Sequence, residues 1–195
     1  MIIKTKIDTS KQFENLIKVG FNTFTIALDN KNSIELINLV KEKKRDIAGK
    51  IDTIDNFNEI LPNFNLQDFK YFEFKSKPAK HIHKLLKSFN IKIIYTNIEA
   101  TYDDDPSWII YEIEQLNEIA DYYQIEFYND IEFPLNTILK TPNLYPNELN
   151  LSDIFNIANR YPIILSVKLK NILEYNLFFK KTFSKIQGIN VIFPE

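Results

Sequence analysis

The feature that most constrains this chain is an end-to-end alternation of short apolar runs with amphipathic helical stretches. Eight runs have the length and the β-branched and aromatic content of strands. They are residues 2–8, 23–29, 46–52, 71–76, 92–98, 123–129, 163–169 and 190–194. Helical periodicity between successive runs predicts parallel strands that are joined by helical crossovers.

Eight strand–helix units predict an α/β fold, a compact (β/α)8 TIM-like barrel that forms a single domain over residues 1–195. Such barrels usually have at least about 200 residues, so the helices must be short, the loops tight and one or two units irregular. An open, doubly wound sheet is the alternative. In both folds functional side chains are expected at the carboxyl ends of the strands.

Local signals predict where helices begin and end. Thr9 and Gln12 have the spacing of a capping box, and Gly20 ends the first helix. Pro78 is expected in the first turn of a helix within residues 77–90. The positions of that helix predicted to face the core are Ile82, Leu85, Leu86 and Phe89.

Composition excludes several classes of site. The absence of cysteine excludes disulfides, thiolate zinc sites and a cysteine nucleophile. The three glycines are far apart, which excludes a P-loop and a GxGxxG dinucleotide loop. No stretch has the character of a signal peptide or approaches the roughly 18 apolar residues of a membrane span. We therefore expect a soluble, cytoplasmic protein with no membrane partner.

The net charge of −2 conceals two blocks of opposite sign. Residues 70–92 contain seven lysines and one glutamate, whereas residues 99–139 contain eleven acidic residues and no Lys or Arg. A chain with this pattern can present opposite faces to different partners.

The basic block places a stripe of lysines on its predicted helix. Lys77, Lys80, Lys84 and Lys87 point outward, where they are suited to contact the phosphates of RNA or of a ligand. The simpler interpretation is an ordinary solvated helix face. No aromatic residues are interleaved on the outer side, so stacking on bases is not indicated.

The acidic block contains three consecutive aspartates, Asp103 to Asp105, directly before Pro106. Asp105 and Pro106 together are a typical helix start. A metal site would need further carboxylates converging from Glu73, Glu99, Glu126 and Asp130. The other interpretation is a surface that docks a partner protein. Its predicted residues are Asp103, Asp104, Asp105, Glu112 and Glu118.

Candidates for covalent chemistry are lysines on strands, which form Schiff bases when they are buried among apolar neighbours. They are Lys50, Lys75 and Lys168. Solvated lysines at strand ends are the alternative. Ser166 has no histidine near it in sequence and is a weak nucleophile candidate. His81 and His83 lie two residues apart on a predicted helix, so they do not share a face and are expected at the surface.

Residues 69–127 resemble the fourth to sixth units of type I 3-dehydroquinate dehydratase in order and spacing. That family has a Schiff-base lysine on the sixth strand and a histidine at the end of the fifth. Gln124 and Ile98 occupy the nearest matching positions here. This resemblance therefore implies a degenerate dehydratase or aldolase-like barrel that would need a different lysine.

Nearly the whole chain is also similar to protein component 3 of archaeal ribonuclease P, a barrel-like subunit. The matching segments are residues 7–28, 46–52, 69–76, 104–130, 145–166 and 173–189. Ser166-Val167-Lys168 stands where the family has small residues after the seventh strand. The sequence "LEYNLFF" (173–179) replaces the arginine and proline that often follow, and the chain is more acidic than is usual there.

This second resemblance implies a non-catalytic subunit that supports the catalytic RNA in removing the 5′ leader from precursor tRNA. The chain would bind no cofactor directly, because Mg²⁺ would act through the RNA. Its implied partners are the RNA, other protein subunits, above all a small basic protein, and indirectly precursor tRNA. The charge pattern accords with this, since the acidic surface suits a basic protein and the lysine stripe suits RNA.

Overall fold

Eight parallel strands close into a barrel in which every strand pairs with its neighbours in chain order and β8 returns to β1. The computed structural model describes residues 1–51, 57–100, 105–116, 118–127, 151–168 and 186–192. The strands are β1 (Ile2–Lys6), β2 (Thr23–Ala27), β3 (Asp46–Lys50), β4 (Tyr71–Phe74), β5 (Lys92–Ala100), β6 (Tyr122–Phe127), β7 (Ile163–Lys168) and β8 (Gly188–Ile192). The predicted (β/α)8 barrel is confirmed, and the open sheet is excluded.

Helices lie between the strands along the chain. They are α1 (Ser10–Lys18), α2 (Ser33–Glu42), α3 (Phe57–Ile60), α4 (Lys80–Ser88), α5 (Pro106–Leu116) and α6 (Leu151–Ala158). The unit after β3 is irregular, because α3 is a single turn that runs into two short 3₁₀ segments, Leu61–Asn63 and Leu66–Asp68. None of the described helices is long and apolar enough to cross a membrane.

The start and end of α1 follow from its sequence. The Thr9 hydroxyl accepts the Gln12 backbone N–H at 3.3 Å, and the Gln12 side chain accepts the Asp8 N–H at 3.1 Å. Gly20 has φ +99°, a left-handed conformation that costs glycine little, and the chain turns there towards β2. The predicted cap and stop are confirmed.

Helix α4 differs from the prediction at both ends. Pro78 precedes the helix rather than lying in its first turn, since Ala79 is the extended N-cap and the helix begins at Lys80. Phe89 was predicted to face the core but is 42% exposed. It is the C-cap residue, and Asn90 with φ +58° then redirects the chain into β5. The helical periodicity that would bury Phe89 has already ended there.

The main core lies between the barrel wall and the helices. Aromatic side chains fill it beside β4, where the Phe69 and Phe72 ring centroids are 5.0 Å apart and Phe57 lies 5.9 Å from Phe72. Gly49 on β3 makes room for them, because a Cβ there would lie 3.0 Å from the Phe72 ring. Alternate residues of each strand therefore point outward into this core, and the others point into the barrel.

The barrel interior changes character along its axis. A separate apolar cluster joins residues of five strands that can meet only inside the barrel. Its members are Ile2, Ala48, Tyr71, Ile94 and Ile164, with Tyr122 packed against them. They fill the half of the interior nearer the amino ends of the strands. Two residues further along β1, the inward position is Lys4, and the interior becomes polar.

Candidate functional site

Polar side chains line the barrel interior towards the carboxyl ends of the strands. We call this set the polar ring. It consists of Lys4, Thr25, Lys50, Glu73, Gln124, Glu126, Ser166 and Asn190. The strand register aligns its members: Lys4 lies beside Asn190, Asn190 beside Ser166, and Ser166 beside Glu126. Barrels of this kind carry their chemistry at this end, whereas their interiors are usually filled by branched apolar residues.

An ion pair crosses the centre of the ring. The Lys4 ammonium on β1 lies 2.5 Å from Oε1 of Glu73 on β4. The Thr25 hydroxyl donates to the same oxygen at 2.6 Å. Lys4 is 1% exposed and Glu73 is 4% exposed, so both charges are withdrawn from water. A buried pair of this kind is held together because each charge would be costly without the other.

The surroundings of Lys4 favour its neutral form more than water does. Burial lowers the pKa of the Lys4 ammonium, and Glu73 offsets this lowering only in part. Lys50 lowers the pKa further through like-charge repulsion, while the more distant Glu126 carboxylate raises it. A lysine in such a setting supplies an amine nucleophile more readily than a solvated lysine does.

The ring also holds a buried acceptor that has no partner among the described residues. The Asn190 side-chain N–H donates to the Ser166 hydroxyl oxygen at 2.8 Å. Gln124 is 5% exposed, and its Oε1 meets no hydrogen-bond donor within the described part of the chain. Leaving such an acceptor unpaired costs about 1–3 kcal/mol, so this position is suited to a donor group supplied by a ligand.

The predicted covalent candidates have different environments. Lys50 is half-buried and lies in register with Glu73 inside the ring. Lys75 follows the end of β4 and is exposed. The side chain of Lys168 lies outside the described part of the chain. Ser166 is fully buried and is bonded to an asparagine rather than to a histidine.

Sequence reasoning missed Lys4, Thr25 and Asn190 as site residues. The signal that marks them is their position on strands whose two faces are both covered. Such strands are normally near-continuous apolar runs. A lysine two residues after Ile2, in "IIKTK", departs from that rule on the inward face.

The lysine stripe is exposed, but it is not an unbroken free surface. Lys77 precedes α4, whereas Lys80 and Lys84 lie on the helix. Lys87 donates to both carboxylate oxygens of Asp121 at 2.7 Å. The basic and acidic blocks therefore meet at this contact instead of lying on opposite faces.

Asp121 also organises the start of β5. Its carboxylate accepts the Ile93 backbone N–H at 2.9 Å and lies 3.3 Å from the Lys92 ammonium. Burial alone would raise the pKa of Asp121, but the hydrogen bonds from Lys87 and Ile93 outweigh it and hold the pKa below the ordinary value. This carboxylate is consequently a clamp between α4 and the barrel, not a free docking group.

Asp105 begins α5 as predicted. Its side chain accepts the Ser107 backbone N–H at 2.8 Å, and this bond lowers the pKa of the Asp105 carboxyl. Asp103 and Asp104 lie outside the described residues. Of the other predicted docking residues, Glu112 is half-buried and Glu118 is exposed.

Two aromatic side chains accompany these carboxylates on α5. Trp108 is 41% exposed and Tyr111, one turn later, is 59% exposed. The described residues from 105 to 127 include no Lys or Arg. This part of the surface is therefore acidic and aromatic, a composition that suits a basic partner.

No metal centre forms among the described residues. They contain no group of three His, Asp or Glu side chains placed to hold an ion. Glu73 is engaged by Lys4, and Glu99 is exposed at the end of β5. Asp130 lies outside the described part. Both histidines were predicted at the surface. His81 is exposed, whereas His83 is half-buried.

A concavity of about 480 Å³ lies at the amino end of the barrel, opposite the polar ring. Lys70 and Asp46, which line it, form an ion pair at 2.7 Å, and the Lys70 ammonium lies 5.6 Å from the Tyr71 ring centroid. Burial raises the pKa of Tyr71. The polar groups of Lys70 and Asp46 in this concavity bind each other, which is typical of the end of such barrels that stabilises the fold.

Comparison with known proteins adds evidence about the fold. No protein-family model matches the chain, and no curated protein matches it significantly. Among solved structures, it is similar to phosphoribosyl anthranilate isomerase from Thermococcus kodakaraensis, with 13% identity, a TM-score of 0.59 and coverage of 97% of this chain and 87% of that chain.

Two further structures are similar over almost the whole chain. For 3-dehydroquinate dehydratase from Geobacillus kaustophilus the TM-score is 0.64 at 6% identity, with coverage of 98% of this chain and 82% of that chain. For a truncated 3-deoxy-D-arabino-heptulosonate 7-phosphate synthase from Thermotoga maritima it is 0.58 at 11% identity, with coverage of 98% and 74%. At these identities the likeness shows the fold alone, and the chain has a (β/α)8 barrel fold.

Proposed function

We propose that this chain binds a small polar metabolite inside the carboxyl end of its barrel and acts on it as an enzyme. The observation that carries the proposal is the polar ring, which holds a buried lysine–glutamate pair and the Gln124 acceptor, for which the described residues offer no donor. The ring lies where barrels of this fold place their substrates.

The stability of the fold does not by itself explain why polar side chains line the barrel interior. Apolar side chains of similar volume would fill the same space, and replacing a buried ion pair in that way is often neutral or stabilising. The buried Gln124 oxygen adds a further cost because it has no donor among the described residues. Side chains that lower stability and converge at the reactive end of a barrel are typical of a binding site.

The proposal does not extend to the established chemistry of type I 3-dehydroquinate dehydratase. In the resemblance to that family, Gln124 occupies the position nearest to the family's Schiff-base lysine, and Ile98 occupies the position nearest to the family's histidine. Ile98 is 1% exposed and offers no group for proton transfer. The polar ring instead places its lysines on β1 and β3, so any lysine chemistry would begin from a different strand.

Equilibrium dialysis against a mixture of polar cellular metabolites, read by mass spectrometry, tests the proposal. The wild-type protein should retain at least one compound. Gln124→Leu should lose it, because the acceptor becomes apolar, whereas Gln115→Leu on the exposed side of α5 is a matched control that should retain it. Retention of nothing, or equal retention by Gln124→Leu, would refute the ligand site.

A second candidate function is the ribonuclease P subunit. What favours it is the surface: lysines at and before the start of α4 are exposed, and α5 is acidic and carries exposed Trp108 and Tyr111. In this proposal the lysines contact RNA phosphates and α5 docks a small basic protein. Mg²⁺ would be held by the RNA, and this chain would have no catalytic residue.

Affinity purification from the source cells tests this candidate. The catalytic RNA or another subunit of the ribonucleoprotein should co-purify. Charge reversal of Lys77, Lys80 and Lys84 should weaken RNA association and flatten its salt dependence, whereas reversal of Lys11, Lys18 and Lys43, which are also exposed, should not. Recovery without any RNA or ribonucleoprotein component would refute it.

A further inference from the structure

We infer that Lys4 forms an imine with a small, neutral, hydroxylated carbonyl compound in the polar ring, with Glu73 as its acid–base partner. The inference rests on the proposed ligand site and assigns its chemistry. It differs from the sequence-based prediction, which considered only Lys50, Lys75 and Lys168. Three features of Lys4 support it: its position, its protonation, and the groups that face it.

Position distinguishes Lys4 from the other lysines. It is the only buried lysine among the described residues, and it projects into the barrel interior, where it meets Glu73 from the other side of the ring. Lys50 is half-buried and Lys75 is exposed. An imine-forming lysine needs an interior position so that water does not reverse the reaction before the substrate has reacted further.

The protonation of Lys4 is the second feature. An amine attacks a carbonyl carbon only in its neutral form, and burial together with the Lys50 charge lowers the pKa of Lys4. The Glu73 oxygen at 2.5 Å is correctly placed to take the proton that the ammonium must lose. Thr25 holds that carboxylate oxygen in place through its own hydrogen bond of 2.6 Å.

The proposed step balances without a further reactant. The Lys4 ammonium transfers a proton to Glu73, and the neutral nitrogen forms a bond to the carbonyl carbon, whose oxygen takes up that proton to become a hydroxyl. A second proton passes from the nitrogen through Glu73 to this hydroxyl. The carbon–oxygen bond then breaks, water leaves, and the protonated imine remains, with Glu73 again a carboxylate. No electrons are gained or lost, so neither an oxidant nor a reductant is required.

The groups that face Lys4 indicate the substrate class. The Gln124 oxygen has no donor among the described residues, and a substrate hydroxyl would provide one. The Ser166 oxygen accepts a hydrogen bond from Asn190. The Ser166 O–H has no acceptor among the described residues, so it can donate to a ligand oxygen. The ring contains two lysines and two glutamates, so its charges balance without a charged ligand. A neutral hydroxyketone or hydroxyaldehyde satisfies these groups.

Borohydride trapping on the wild-type protein tests the inference without a variant that has to fold. Dihydroxyacetone is the probe, and acetone, which has the same carbonyl without hydroxyls, is its matched comparison. Peptide mapping should place the reduced adduct on Lys4 with dihydroxyacetone, at least about 10-fold above acetone, and above every exposed lysine. Adducts that are spread over exposed lysines, or equal labelling by the two ketones, would overturn the inference.

Two variants sharpen the assignment. Glu73→Gln keeps the shape of the side chain but removes the proton acceptor, so the trapping rate at Lys4 should fall by about 100-fold or more. Lys75→Met removes an exposed lysine and should leave labelling of Lys4 unchanged. An unchanged rate in Glu73→Gln would overturn the acid–base role.

The two proposals fail in distinguishable ways. If dialysis shows a ligand that depends on Gln124 but no adduct forms on Lys4 with either dihydroxyacetone or that ligand, the imine is wrong and the ligand site stands. If neither retention nor trapping is observed, the ligand site is also wrong.

Discussion

The ion pair inside the barrel makes a strong prediction about stability. Glu73→Leu would leave the Lys4 ammonium buried, at 1% exposure, with no anion beside it. Breaking a buried pair in this way costs about 3–5 kcal/mol. For a chain of this length each kcal/mol lowers the melting temperature by about 2–4 °C, so we expect a decrease of about 6–20 °C.

The double variant carries the more informative prediction. Lys4→Met alone strands the Glu73 carboxylate and should also cost about 3–5 kcal/mol, whereas Lys4→Met with Glu73→Leu removes both charges. The remaining cost in the double variant comes chiefly from the Thr25 hydroxyl, which loses the Glu73 oxygen that accepts its hydrogen bond at 2.6 Å. This loss lowers the free energy of unfolding by about 1–3 kcal/mol. The double variant should therefore be more stable than either single variant.

Urea denaturation gives the three free energies of unfolding, provided that the slope with urea stays constant. The pH dependence of Glu73→Leu is an internal check. A lysine whose folded pKa lies below its unfolded value of 10.5 is protonated more in the unfolded state, so stability rises with pH between those two values. Single-variant costs below about 1 kcal/mol, or costs that simply add in the double variant, would contradict a buried, coupled pair.

Three further predictions concern the scaffold. Asp121→Asn should reduce stability at pH 7, and the difference should shrink as the pH falls below 3.8, because the benefit of a lowered carboxyl pKa is lost between 3.8 and the folded value; urea denaturation at pH 7 and at a series of pH values below 3.8 measures it. Gly49→Ala should cost about 1–3 kcal/mol in urea denaturation because the new methyl group meets the Phe72 ring at 3.0 Å, and an undiminished stability would contradict that packing. Thr9→Ala should lower the melting temperature by the loss of a cap worth about 1 kcal/mol, whereas Thr9→Ser should not; equal effects would show that the hydroxyl is not the cap.

The barrel was predictable because its signal is repeated in every unit. Each strand is a run of apolar residues with helical periodicity after it, and a closed parallel sheet is one of the few ways to cover such strands on both faces. The predicted strands overlap all eight observed strands. The end of α4 was not predictable in the same way, since an apolar Phe89 continues the helical pattern after the backbone has left it.

The site could be predicted only in outline. Its place, at the carboxyl ends of the strands, follows from the fold, and Lys50 was among the predicted lysines. The Lys4–Glu73 pair joins residues that are 69 positions apart, and no local pattern encodes such a contact. The Lys87–Asp121 ion pair likewise joins the two charge blocks through the fold. The charge counts along the sequence predicted that these blocks form opposite faces, but the two blocks are in contact.

The most direct test of the central claim is the side-chain amide resonance of Gln124 in protein labelled with ¹⁵N-glutamine. It is assigned by its absence in Gln124→Leu and followed during addition of the metabolite mixture used in dialysis. We expect this resonance to shift, because a ligand donor engages the buried oxygen, whereas the resonance of exposed Gln115 should not shift. A Gln124 resonance that stays unchanged at saturating metabolite would contradict a ligand site in the polar ring.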